Sequence, residues 1–373
     1  GRRYTGRGYT GKGDPMLRLL LVLLAAAVLY LLTWPVPVDP VAWDAPEDAG
    51  LSGDFAANDA LAGLERLEIA PYHGPEDLAA DRSGNLYTGT EDGRILRIAA
   101  EDGSVSVFAE TGGRPLGLEF DADGNLLVAN AYLGLQSVDA GGAVTLLADE
   151  VDGSPIRYAD DVDAAPDGRI YFSDASTKFG AAEYDSTYGA SLLDILEHGS
   201  HGRVLVYDPT TGETGTVMAG LDFANGVAVD PAGRFLLVVE TGTYRVLKHW
   251  LAGPSAGETE ILVDNLPGFP DNVNQGLDGR FWVGLVSPRS AQLDSLSDKP
   301  FLRKVVQRLP AAMRPAAEPS AHVFAIDVEG NVVANLQGDG TKLQAVTGAL
   351  ETPQALYLTS LFGTALGRID RTW

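Results

Sequence analysis

The chain has 373 residues, 45% hydrophobic and 21% charged, with 44 glycines and 21 prolines, a composition that supplies a large core and many short strands joined by turns. Its formal net charge of -24 excludes nucleic acid as a partner, because phosphate binding rests on clustered Lys and Arg; the excess carboxylate serves surface solubility or draws cations. With no cysteine, disulfides and thiolate metal sites are excluded, so any metal is held by oxygen or imidazole.

Residues 1–16 are glycine-rich and basic, with Tyr4-Thr5-Gly6 echoed by Tyr9-Thr10-Gly11, and read as a disordered tail. Residues 17–34 read as a transmembrane signal anchor. The apolar run from Leu19 to Leu32 is uninterrupted, and with its flanks it approaches the roughly 17 residues that span a bilayer. It ends in Leu31-Leu32-Thr33-Trp34-Pro35, without the small-residue cleavage site of a secretory signal. Arg2, Arg3, Arg7, Lys12 and Arg18 precede it, and Asp39, Asp44, Glu47 and Asp48 follow. The positive-inside rule then puts the N-terminus in the cytoplasm and the remainder on the periplasmic, lumenal or extracellular side. A buried core helix suits a shorter run and leaves the one-sided basic flank unexplained. Residues 35–59 read as a linker.

From residue 60 to 373 a polar turn containing glycine, followed by an aromatic or branched strand, recurs. The copies are Ser83-Gly84-Asn85-Leu86-Tyr87, Asp123-Gly124-Asn125-Leu126-Leu127, Asp167-Gly168-Arg169-Ile170-Tyr171, Ala232-Gly233-Arg234-Phe235-Leu236 and Asp278-Gly279-Arg280-Phe281-Trp282. Their glycines lie 40, 44, 65 and 46 residues apart, the period of propeller blades of several strands each. A sixth strand of this type, Ala355-Leu356-Tyr357-Leu358-Thr359, lacks the turn but completes the count. The pattern predicts an all-β, six-bladed β-propeller, closed by pairing a strand near Leu366–Ile369 with one near Leu64–Ile69. The excess spacing falls in two insertions, 176–202 and 288–320. The second sets Arg289, Lys299, Arg303, Lys304, Arg308 and Arg314 among apolar residues such as Phe301, Leu302, Val306 and Met313. It predicts a short amphipathic helical element that lies on an anionic membrane surface, covers the propeller mouth, or packs solvated on a blade edge.

Counting back eight residues from each turn glycine gives Glu76, Leu116, Asp160, Asn225 and Asp271. Positions of equal phase in successive blades form a ring around the axis, and four of these five carry oxygen. Three gathered carboxylates repel unless a cation binds them or some take up protons. The oxygen-only set suits one calcium-type ion on the axis rather than zinc or copper. The plain alternative is that these residues cap strands and bond turn backbones. His73, three residues before Glu76, falls at the expected channel rim together with Leu116.

With Gly74-Pro75-Glu76, Thr88-Gly89-Thr90-Glu91-Asp92-Gly93-Arg94, Gly113-Arg114-Pro115-Leu116-Gly117, Phe223-Ala224-Asn225-Gly226-Val227 and Pro267-Gly268-Phe269-Pro270-Asp271-Asn272, the chain resembles the strictosidine synthase-like and adipocyte plasma membrane-associated protein family. That family sits within the superfamily of calcium-dependent six-bladed propellers that also holds gluconolactonases and paraoxonases. The resemblance implies that Glu76, Asp160, Asn225, Asp271 and Asn272 are metal ligands, with Asp160 standing where relatives usually carry Asn. Paraoxonases have a histidine where Leu116 stands, and the late glutamate of strictosidine synthase aligns near Gly348, so neither of those two chemistries is expected. The expected function is calcium-dependent hydrolysis of an ester or lactone, with Asp271 as base and Glu76 next in rank. The alternative is a membrane-tethered, non-enzymatic binding propeller with a structural calcium.

Overall fold

A computed structural model describes residues 14–184 and 186–371; most of the expected basic tail lies outside the described residues. Six four-stranded antiparallel sheets form the blades of a β-propeller. Their innermost strands are Leu78–Ala80, Pro115–Phe120, Ala159–Ala164, Ala224–Val229, Gly268–Gln275 and Val346–Glu351. In blades one to five, the phased turns connect the first strand to the second. Their glycines have φ between 67 and 89°, a left-handed conformation that a residue without Cβ adopts at little cost. The sixth blade contains the expected strand as Ala355–Ser360.

Closure also follows the expectation. Strand Glu65–Glu68 pairs antiparallel with Ala365–Asp370, Leu67 opposite Leu366, so the last blade takes its outermost strand from the N-terminal side. This joins the two ends of the propeller without a covalent bond. Second strands such as Leu126–Asn130 and Phe235–Glu240 are buried throughout, because each is covered by a blade on either face. Outermost strands such as Val105–Glu110 are largely exposed. The core lies between blades, as where Phe235, Tyr244, Phe281 and Phe324 meet.

One backbone irregularity positions the site. The innermost ladder slips between Pro115 and Leu118, Ala159 and Val162, Ala224 and Val227, Pro270 and Val273, and Val346 and Ala349. A bulge sets two residues against one and re-aims their side chains. Two successive residues of each of these strands thus turn toward the axis instead of alternating across the sheet. In the first blade the corresponding Glu76 and Asp77 precede the short inner strand.

Helix α1 (Pro15–Thr33) starts at Asp14, whose carboxylate accepts from the Met16 N–H, with proline at its first position, a favourable start on both counts. None of its 19 residues is buried, and it is long and apolar enough to cross a membrane. Helix α2 (Thr187–Glu197) occupies the first insertion, and α3 (Ala291–Asp294) and α4 (Pro300–Gln307) the second. The segment 35–59 is irregular apart from a turn at Gly53–Phe55, yet it is seated along its length. The Asp39 N–H donates to Glu197 Oε2 (2.6 Å), Trp43 stacks on His198 (4.0 Å), Arg289 donates to the Pro46 carbonyl (2.6 Å), and Phe55 meets Phe324 edge-on (5.1 Å). What reads in sequence as a linker is a strap over the cap helices and the later blades.

Candidate functional site

Glu76, Leu116, Asp160, Asn225 and Asp271 meet at the floor of one cavity of about 460 Å³ at the mouth of the propeller. The walls are mostly apolar, with Thr187, Ser191, Gln307 and Arg314 among their polar members. Tyr158, Phe223 and Phe269 come from the blades, Leu192 and Leu196 from α2, and Val306 from α4. Both insertions therefore cover the mouth, one of the placements open for the second of them from sequence. Asn272 is fully buried beside the floor, and its amide donates to the carbonyl (3.2 Å) and Oε1 (2.9 Å) of Glu76. His73 is exposed and does not line the cavity. Its place is set by the turn before Glu76, where its carbonyl accepts from the Glu91 N–H, and the expected rim role is not supported.

The electrostatics of the floor are those of crowded carboxylates. Burial raises Glu76 and Asp160 well above the usual carboxylate range, with the charge of Asp271 adding to both. Burial also lifts Asp271 to about 7, against the hydrogen bond its Oδ1 accepts from Asn225 Nδ2 (2.6 Å). Arg114, nearly fully buried behind Glu76, donates to the Gly74 carbonyl (2.9 Å) and is the cation that offsets part of this charge.

Three buried acceptors in this cluster have no hydrogen-bond partner: Glu76 Oε2, Asn225 Oδ1 and Asn272 Oδ1. An unsatisfied buried acceptor costs about 1–3 kcal/mol. All three belong to residues that the phase or the resemblance marks as ligands, so the donor set fits a hard cation. Among the described residues no three His, Asp or Glu side chains by themselves form a metal-holding group, so an ion here would also need the amide oxygens of Asn225 and Asn272.

A second tier lies one residue further along each strand, seven residues before each turn glycine. Asp77 Oδ2 accepts from the Leu118 N–H (2.8 Å), and Asp161 Oδ2 accepts from the Val227 N–H (2.8 Å). These buried carboxylates stitch one blade to the next. The same count in the sequence could have found them. In the sixth blade, which lacks a turn glycine to count from, pairing places Thr347 at the ring position; its hydroxyl donates to the Glu76 carbonyl.

A strictosidine synthase-like N-terminal family model matches residues 53–98, and a strictosidine synthase model matches residues 160–254. Protein strictosidine synthase-like 6 of Arabidopsis thaliana is 33% identical over 317 residues, covering 83% of this chain and 82% of that protein. The chain belongs to the strictosidine synthase-like family. Within it, the adipocyte plasma membrane-associated protein of Gallus gallus is 34% identical over 313 residues, covering 78% of this chain and 72% of that protein. Among solved structures, a gluconolactonase of Xanthomonas campestris superposes with TM-score 0.60 at 19% identity, over 82% of this chain and 88% of that one. A calcium-binding regucalcin of Agrobacterium tumefaciens gives TM-score 0.57 at 16% identity, over 82% and 92%. At such identities these two likenesses show the fold.

Proposed function

We propose that this member of the strictosidine synthase-like family is a calcium-dependent hydrolase of esters or lactones. The observation that carries the reading is the set of three unpartnered buried oxygens in an acidic ring beneath a mostly apolar chamber. Glu76, Asp160, Asn225, Asp271 and Asn272 would hold the ion. Bound there, calcium supplies a Lewis acid for the carbonyl oxygen of the substrate. The chain's own residues do the rest. Asn225 donates to Oδ1 of Asp271, an oxygen that keeps a second lone pair for the ion, and Oδ2 is left to take the proton of an attacking water. Asn272 holds Oε1 of Glu76 in the same way, making Glu76 the second base. Leu116, Tyr158, Phe223 and Phe269 shelter the reacting group from bulk water and contact the acyl or aryl body.

The names of the relatives bear on this in opposite directions. The gluconolactonase likeness agrees with a lactone substrate. Strictosidine synthesis is not expected, because Gly348, near which the late glutamate of strictosidine synthase aligns, has no side chain to supply the carboxylate. The basic residues before α1 and the acidic ones after it support an N-terminus in the cytoplasm and a propeller on the far side of the membrane.

The test is turnover by the full chain on phenyl acetate and a γ-lactone panel, with calcium and after chelation. Asp271→Asn should lower turnover by about 10²-fold or more with an unchanged circular dichroism spectrum; unchanged turnover would sink the mechanism. Calcium-dependent stabilisation with no turnover on any ester or lactone would assign the protein instead as a tethered binding propeller.

A further inference from the structure

The chamber above the ring is built into the same assembly that ends the apolar helix. Arg308, buried at the end of α4, donates to the carbonyls of Leu31 (3.0 Å) and Trp34. Arg303, also buried, donates to Leu196 at the end of α2 (3.0 Å), to Ser297 (2.9 Å) and to Val41 of the strap. These two guanidinium groups fasten span, strap and both cap helices into one piece. Pro37, four residues beyond the end of α1 at Thr33, is part of the chamber wall. At the reach of an extended chain it lies within roughly 14 Å of the helix end. Phe301 and Leu302 of α4, Met313 shortly after it, and Trp34, whose carbonyl Arg308 holds, are all exposed.

We propose that the chamber takes its ligand from the bilayer: a lipophilic ester or lactone whose chain lies between α2 and α4 and whose oxygenated head rests on the ring, with Phe301, Leu302 and Met313 set in the lipid interface. The occupant of the exposed apolar residues is the bilayer because α4, which carries Phe301 and Leu302, is tied by Arg308 to the end of a helix long and apolar enough to cross a membrane. The two chamber surfaces match the two halves of such a molecule, since the ring carboxylates gather at the floor while most of the remaining lining surface is apolar. The head-group chemistry rests on the hydrolase reading; the lipid-facing geometry does not.

The absence of cysteine allows unique labelling of the full chain in phosphatidylcholine nanodiscs. An environment-sensitive fluorophore on Phe301→Cys should be quenched at least twofold by brominated acyl chains, and one on Val105→Cys, on the outermost strand of the first blade, should not. In the same discs, an unreactive lactam with a dodecyl tail should bind at least tenfold more tightly than its methyl counterpart. Leu192→Trp should remove that advantage, and Gln307→Trp, from the facing wall, should do the same if Leu192→Trp does not fold. A label at 301 indifferent to brominated lipid, or an affinity independent of chain length, overturns the proposal. Neither readout is turnover, so a protein that passes both and hydrolyses nothing retains the membrane-fed chamber and loses only the hydrolase assignment.

Discussion

Gly117 of the second blade lies so close to Asp161 of the third that a Cβ on the glycine would stand 2.5 Å from both the Cα and Oδ1 of the aspartate. The relationship recurs around the axis. The position just after the ring reads Asp77, Gly117, Asp161, Gly226, Asn272 and Gly348 in successive blades. A Cβ on Gly226 would come within 2.8 Å of the Cα of Asn272. Odd blades supply a polar side chain and even blades a glycine; Gly117 and Gly226 give the next blade space to pack, whereas Gly348 makes room for Asn272 and Asn274 of the preceding blade.

This alternation makes Gly117→Ala an overpacking change against backbone, which should lower stability by about 1–3 kcal/mol. Gly215→Ala is the control: the nearest atom to its Cβ would be Val206 Cγ1 at 3.8 Å, so its effect should stay within about 0.5 kcal/mol. Thermal melts of both variants with calcium present decide the matter, and equal melts would refute the packing account.

Asp160 sets up a change with two opposite signs. It adds a third carboxylate to a floor already shared by Glu76 and Asp271, and the mutual repulsion of these groups is relieved by a cation. Asp160→Asn should therefore melt at a higher temperature than the wild type in chelator at pH 8. Its calcium-induced rise in melting temperature should be smaller, because stabilisation by a ligand follows its affinity for the folded state. A calcium-induced rise as large in the variant as in the wild type would show that Asp160 does not face the ion.

Much of this arrangement was legible in the sequence, for a physical reason. Blade turns need glycine at positive φ, so Gly84, Gly124, Gly168, Gly233 and Gly279 mark the repeat, and a fixed count back from them reaches the ring at Asp160 and Asn225. The bulges were not legible, because they are slips in pairing that leave no residue signature. Without them Asp161 would be assigned to the opposite face from Asp160. The chamber roof was also hidden: α2 and α4 meet through Arg303 and the Leu196 carbonyl, 107 residues apart. The strap escaped notice because its anchors, such as Trp43 on His198, are single side chains in a stretch with no period. His73 misled by proximity, since three residues of turn were enough to carry it outside.

Glu197 at the end of α2 is where strap and cap are joined, and acid should release it. Its carboxylate accepts from Lys178 Nζ (2.6 Å) and the Asp39 N–H (2.6 Å) and lies 2.8 Å from His201 Nε2. Burial alone would raise its pKa, but the hydrogen bonds from His201, Lys178 and Asp39 outweigh it and hold the group at about 2. A folded-state pKa below the unfolded value of about 4.3 means that the ionised group stabilises the fold above that pH. The contribution is lost as pH falls through about 2. Glu197→Gln should thus be less stable than the wild type at pH 7 by about 1–3 kcal/mol, the range for leaving charged partners unpaired. The difference should narrow between about pH 4 and pH 2. Because the Val41 N–H donates to the Glu197 carbonyl, amide exchange at Val41 reports the same event locally. Its protection relative to the free-chain rate at the same pH should fall in the variant at neutral pH, and in the wild type only on acidification. Exchange at Val41 that is slow and equal in both proteins at pH 7 would show that the carboxylate does not fasten the strap.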